Sequence, residues 1–163
     1  MDRLNGRGTA SATGIEGVWV QKLAEIDTEG GPVLHMLRAD DSLYRKFGEI
    51  YFSVVLPGAV KAWKYHRLQT QNFAVPWGIL EVIIYDDREN SPSRGTIKSF
   101  MLGRPDHYRL LHIPPGLWYG FCCRSEETAI LANCADIPHS PGESVRIPKS
   151  SPLIPYTWEG AGD

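Results

Sequence analysis

No apolar run in the sequence approaches the ~18 residues that a bilayer-crossing helix needs, which argues against a membrane-spanning helical protein. The opening stretch MDRLNGRGTASATG lacks an apolar core and does not read as a secretory leader. Its Gly, Ser and Thr content predicts a flexible N-terminus over residues 1–14, ahead of a single domain over 15–163. Cysteine is scarce. Cys122 and Cys123 are adjacent, so on a strand they face opposite ways and cannot readily bridge, and Cys134 has no partner spacing. That pattern excludes a disulfide-stapled fold and suggests a reducing, cytoplasmic compartment, with the thiols acting as small buried apolar groups. Excess charge is missing too. A formal net charge of -2 supplies no basic field for nucleic acid or an anionic membrane. An anionic ligand must therefore be met by a local cluster of Lys and Arg.

Helix signals are few. ADDSLYRKF, residues 39–47, is the one fair candidate, with Asp40 or Asp41 as its cap. Strand signals recur instead. GVWVQKLAEI, EIYFSVVL, VKAWKYH, QNFAV, ILEVIIYD, TIKSFML, YRLLHI, WYGFCCR and TAILANC are short, evenly spaced and separated by Gly and Pro. That spacing predicts an all-β sandwich or barrel, and apolar residues at 42% are enough for one real core. After residue 137 proline recurs in IPHSPGESVRIPKSSPLIPYTW, which rules out regular helix or a central strand. The tail still carries Ile147, Leu153, Ile154, Tyr156 and Trp158, so it should wrap across the barrel or across a partner subunit.

The chemistry concentrates in WKYHRLQTQNF, residues 63–73. Lys64 and His66 are two apart on a predicted strand and share a face. If that face is the inside of a barrel, a lysine there needs a reason, because lysines are rarely buried unless paired or at work. The alternative, with Lys61, Trp63, Tyr65 and Arg67 inward, makes a poor core.

Three stretches together carry a family resemblance. YDDRENSPSRG resembles D-x-R-x-x-S-P-T-x-G, IPPGLWYGF resembles I-P-P-G-x-x-H-G-F, and PGAVKAWKYH resembles the stretch ending in a catalytic histidine, in a variant reading K-A-W-H-x-H-x-x-Q-T-D. Their order and spacing resemble the dTDP-4-dehydrorhamnose 3,5-epimerase family from about Gly48 to Trp158. The resemblance implies a cupin fold, a double-stranded β-helix or jelly-roll barrel. It also implies a homodimer, since members pair through edge strands, for which residues 49–56 are the candidate here.

The departures matter as much as the matches. Lys64 stands where the family has its proton-abstracting histidine, and Tyr119 where it has a second histidine. The family's acid tyrosine has no counterpart after ILANCADIPH, where His139 is the nearest replacement. Metal-binding cupins use H-x-H, a carboxylate and a further histidine. Lys64, His66 and Tyr119 do not make that set, so neither metal nor another cofactor is expected.

The expected reaction class is epimerisation or isomerisation next to a ketone, with Lys64, His66, Tyr119 and His139 around the reacting carbon. Lys64 could serve as a base of lowered pKa, a Schiff-base amine or a fixed cation. Arg88, Lys61 and Arg67 are candidates for a diphosphate, and Trp118 for a stacking surface. Gln69 and Asn72 match the variant's Q-T-D-N, with Gln71 replacing its acidic residue. Arg146 resembles the arginine of the variant's E-x-R-x-P, or else pairs with Glu143 at the surface. The expected partner is a small-molecule substrate such as a nucleotide sugar. The replaced positions leave two alternatives: a relative repurposed for cyclisation, dehydration or tautomerisation, and a ligand-binding cupin without catalysis.

Overall fold

A computed structural model of the chain describes residues 6–160. The strands are β1 (Ser11–Ala12), β2 (Trp19–Lys22), β3 (Glu25–Ile26), β4 (Val33–Leu34), β5 (Glu49–Val55), β6 (Val60–His66), β7 (Gln71–Trp77), β8 (Ile79–Tyr85), β9 (Ile97–Gly103), β10 (Arg109–Ile113), β11 (Trp118–Cys123), β12 (Ala129–Ala135) and β13 (Ser144–Arg146). They form a six-stranded sheet ordered β1-β2-β10-β7-β12-β5 and a five-stranded sheet ordered β13-β6-β11-β8-β9, with β3 and β4 as a separate hairpin. Every pairing is antiparallel. The two sheets face each other across the main core, which includes Phe73, Val75, Leu80, Val82, Ile84, Leu102, Leu111, Phe121 and Leu131. This is the jelly-roll layering that closely spaced strands and Pro-Gly turns require. Among the described residues no helix is long and apolar enough to cross a membrane.

Residues 39–47 form turns and extended chain rather than the predicted helix. Asp41 does not act as a cap. Its carboxylate accepts from the Arg38 amide at 2.6 Å and pairs with the Arg7 guanidinium, while Asp40 pairs with Arg38. Of the N-terminal segment expected to be loose, residues 1–5 lie outside the described residues. Ser11 and Ala12 pair with β2, and the Gly8 amide donates to the Lys22 carbonyl.

The proline-rich tail crosses the outer face of the five-stranded sheet of its own chain. There Ile154, Tyr156 and Trp158 pack with Trp63 and Ile83. Trp63 is buried under this cover and donates its indole N–H to the Lys149 carbonyl at 3.2 Å. Cys122 and Cys123 are buried, and all three thiols are free.

One irregularity sets the interior face of β6. Lys64 pairs with Tyr119 and Lys61 with Phe121, so Ala62 and Trp63 together oppose Gly120. This is a β-bulge, with one extra residue on β6. Gly120 permits it, because a Cβ there would stand 2.5 Å from the Ala62 Cβ and 2.9 Å from the Trp158 ring. The bulge breaks the alternation, so Lys61 reaches the same interior space as Lys64.

Candidate functional site

Between the sheets lies an open cavity of about 490 Å³. The six-stranded sheet lines it with Tyr51, Ser53, Phe73 and Leu131, and the five-stranded sheet with Lys61, Lys64, Tyr119, Phe121 and Arg146 among others. Three lining residues are cationic and none is acidic, although the whole chain carries a net charge of -2. The local cluster demanded of any anion site is therefore present.

Lys61 donates from Nζ to Ser53 Oγ at 2.9 Å, spanning the gap between the sheets. The Lys64 amine has neither a hydrogen-bond nor an ion-pair partner among the described residues, and its pKa is lowered from the ordinary lysine value. Burial is the main cause and the Arg146 guanidinium adds repulsion, against weaker opposing pulls from Glu143 and Glu49.

Behind Lys64 runs a buried relay. His66 Nδ1 lies 2.8 Å from Glu143 Oε2, and His66 Nε2 lies 3.0 Å from the Tyr119 hydroxyl. His66 is 3% exposed and Glu143 6%. Glu143 Oε1 also accepts the Leu68 and Gln69 amides, at 3.1 and 2.9 Å. Burial alone would raise the Glu143 carboxyl. The hydrogen bonds from His66 and the two amides outweigh it and hold the group ionised below the usual range. Burial pulls the His66 pKa down in spite of the Glu143 hydrogen bond, so the ring is neutral. A carboxylate only accepts, so Nδ1 carries the proton, Nε2 is bare, and the Tyr119 O–H donates to it.

A second network sits on the opposite wall. The Asn72 amide donates to Asn133 Oδ1 at 3.0 Å, which fixes the orientation of the Asn133 side chain. Asn133 Nδ2 then donates to the Tyr51 hydroxyl oxygen at 2.9 Å and to Gln71 Oε1 at 2.5 Å. Gln71 donates to Gln69 Oε1 at 2.7 Å, and Gln69 to the Ile137 carbonyl at 2.7 Å.

No protein-family model matches the chain. The spore coat polysaccharide biosynthesis protein SpsL of Bacillus subtilis (strain 168) is 30% identical over 146 residues, covering 88% of this chain and 96% of that protein. The probable low-salt glycan biosynthesis epimerase Agl13 of Haloferax volcanii is 34% identical over 121 residues, covering 73% and 77%. The crystal structure of a dTDP sugar isomerase from Desulfovibrio desulfuricans G20 superposes with a TM-score of 0.89 at 55% identity, covering 91% of this chain and 95% of that one. The chain belongs to the RmlC-like cupin family of sugar-nucleotide epimerases.

Within this RmlC-like barrel, the residues singled out from sequence part into two groups. Lys64 and Tyr119 line the cavity, with His66 directly behind Tyr119, and Lys61 lines it through the bulge. The others lie elsewhere. His139 is exposed and outside the cavity lining. Arg88 binds Asp86 at 2.9 Å and the Glu16 carbonyl at 2.7 Å, clamping the loop that Ser91 and Ser93 also tie to Asp86. Arg67 is exposed and turns toward the Gly142 carbonyl. Trp118 packs against Tyr65 with the two rings tilted at 45° and donates to Asp87. Gln69 belongs to the amide chain, and Asn72 holds His112 Nδ1 at 2.8 Å and the Cys134 carbonyl at 2.9 Å.

Arg146 does not pair with Glu143, which is bound to His66. It lines the cavity instead, on the strand position paired with Lys64. Sequence reasoning missed Tyr51, Asn133 and the role of Glu143. Parity groups Tyr51 with Ser53 against Ile50, Phe52 and Val54, but it marks the apolar set, which is exposed, as the inner face. Among the described residues no three His, Cys, Asp or Glu side chains converge as a metal-binding group.

Proposed function

We propose that the chain is an epimerase or isomerase of a keto-sugar nucleotide that works without a metal, by taking a proton from the carbon next to a ketone. The observation that carries the reading is the Lys64 amine. It is unpaired, faces a cavity lined by Lys61, Arg146 and two tyrosines, and has its pKa lowered by burial and by Arg146. A base needs a free lone pair, and a developing enolate needs fixed positive charge. Lys64 supplies the first, and Lys61 and Arg146 the second. An acid-free, cation-rich lining also suits a diphosphate. The Desulfovibrio desulfuricans G20 protein is named a dTDP sugar isomerase, which supports the substrate class, and the Haloferax volcanii relative is named a probable epimerase, which supports the reaction class.

The test is deuterium wash-in. A dTDP-4-keto-6-deoxy sugar is incubated with the protein in D2O, and the protons flanking the ketone are followed by NMR. Exchange is expected with the native chain and is expected to fall by roughly 10²–10⁴ in Lys64→Met, the usual worth of a general base. Exchange that survives in Lys64→Met refutes the base assignment. A native chain that binds the sugar nucleotide without exchanging refutes the reaction.

The same reading takes the working form to be a homodimer. Strand β5 is a sheet edge, and its outer side presents Ile50, Phe52 and Val54 at 51%, 64% and 54% exposure, followed by Leu56. A contiguous apolar stripe on an unpaired edge is a surface that isolated monomers avoid. A second copy, which brings an identical stripe, is the occupant that suits it.

A further inference from the structure

The cavity holds two tyrosine hydroxyls on opposite walls, Tyr119 on β11 beside Lys64 and Tyr51 on β5 across from it. Their hydrogen bonds run in opposite senses. Tyr119 gives its proton to His66 Nε2, at 3.0 Å, because Glu143 holds the ring proton on Nδ1. Its O–H is committed away from the cavity. Tyr51 is an acceptor. Asn133 must present Nδ2 to it, because Asn133 Oδ1 is taken by the Asn72 amide. Each further donor in the amide chain points away from Tyr51, ending on the Ile137 carbonyl. The Tyr51 hydroxyl hydrogen therefore has no acceptor among the described residues and is free to meet a ligand.

We infer that Tyr51 is the acid partner of Lys64 and delivers a proton to the intermediate on the face opposite the amine. The inference rests on the reaction proposed above. The Lys64 lone pair forms an N–H bond as the substrate C–H bond breaks, and the electron pair passes into the enolate. The Tyr51 O–H bond then breaks as a new C–H bond forms on the other face, and the enolate pair returns to carbon. Lys64 is left as ammonium and Tyr51 as phenolate, held by the Asn133 N–H. Solvent carries one proton from the first to the second, and no atom is gained or lost overall. Burial raises the Tyr51 pKa, and the Asn133 N–H, which favours the phenolate, offsets part of that rise. Tyr51 thus fills the role for which no tyrosine lies shortly after β12.

The test uses the full chain, dTDP-4-keto-6-deoxyglucose and D2O, with exchange and formation of the inverted product followed together by NMR. In Tyr51→Phe, exchange is expected to stay within about tenfold of native, because Lys64 still removes and returns a hydron. Inverted product is expected to fall by roughly 10²–10⁴. In Tyr119→Phe, exchange and inversion are expected to fall together. Tyr51→Phe that still inverts, or that loses exchange and inversion in parallel, overturns the assignment while leaving the Lys64 reaction standing.

A second measurement needs no variant. In the first turnover of the native chain, the inverted product is expected to carry solvent deuterium throughout. Product that retains substrate hydrogen shows one group serving both faces and overturns the inference. A native chain with no exchange at all brings down the underlying reaction, and this inference with it.

Discussion

Glu143 offers the sharpest test of how the site is held. Its carboxylate accepts three hydrogen bonds, from His66 Nδ1 at 2.8 Å, the Gln69 amide at 2.9 Å and the Leu68 amide at 3.1 Å. Leu68 is exposed, so water can replace the lost oxygen there. Gln69 and His66 are buried, and in Glu143→Ala their donors lose their partner. Two such donors at about 1–3 kcal/mol each give a loss of about 4 kcal/mol, a large share of the roughly 5–15 kcal/mol typical of a whole domain. Glu143→Gln separates charge from shape. Its amide oxygen still serves the two backbone amides, while its NH2 group meets Nδ1 and drives His66 to the Nε2–H tautomer. That exchange should cost about 1–2 kcal/mol, and it reverses the Tyr119 hydrogen bond so that the phenol accepts. Urea unfolding at pH 7.5 measures the energies, and long-range ¹H–¹⁵N correlation of the His66 ring reads the tautomer. A Glu143→Ala loss under about 1 kcal/mol, or a native His66 protonated on Nε2, refutes the reasoning.

Three other outcomes are expected. Burial lowers the His112 pKa to about 4, and Nδ1–H donates to Asn72 Oδ1 at 2.8 Å. Below its unfolded value of ~6.5 the unfolded chain binds a proton that the folded chain refuses, so stability falls as the pH drops from ~6.5 toward 4. Against native, His112→Gln should gain about 2.5 kcal/mol between pH 7.5 and 4.5 in urea unfolding, and a flat difference contradicts this. Arg146→Gln removes a repulsion that holds the Lys64 pKa down, so the acid limb of kcat/KM should move to higher pH, and a limb that stays put argues against Lys64 as the base. Phe52→Glu, at an outward position of β5, should convert a dimer to a monomer in sedimentation, while a native chain already monomeric at tens of micromolar removes the case for the edge.

Where the sequence could be read, local rules decided the outcome. Strands bounded by Pro and Gly, and the spacing of the three motif stretches, rest on short-range physics, and they yield the jelly roll. The shared face of Lys64 and His66 follows from a period of two. Lys61 escaped that rule because the bulge opposite Gly120 inserts a residue, and an insertion is invisible to a count along one strand. Tyr51 escaped for the opposite reason. In EIYFSVV the apolar set Ile50, Phe52 and Val54 looks like the core face and Tyr51 and Ser53 like the wet one. An edge strand with an apolar outer surface inverts that reading, and nothing within the strand announces it. Glu143 lies 77 residues from the histidine it holds. Only the pairing of β13 with β6 brings it there. Arg88 carries the right charge, but Asp86 had already claimed it.

The replaced positions make chemical sense together. A histidine whose Nδ1 proton faces a carboxylate and whose Nε2 accepts a phenol has no lone pair left for a substrate. His66 is in that state, so in the proposed reaction the imidazole supports Tyr119 and does not serve as the base. In that reaction the base is a group whose lone pair is unclaimed, and among the nitrogen groups lining the cavity an arginine cannot supply one. Lys61 is tied to Ser53. Lys64 remains, at the position where the family's pattern has its histidine, with its pKa lowered by burial and by Arg146 beside it. An amine in place of an imidazole asks for depression from the ordinary lysine range, and burial with a neighbouring guanidinium is how a site of this kind provides it. Lys64 and Arg146 thus act together in the proposed reaction, which is why the Arg146→Gln profile and the Lys64→Met exchange should fail or succeed together.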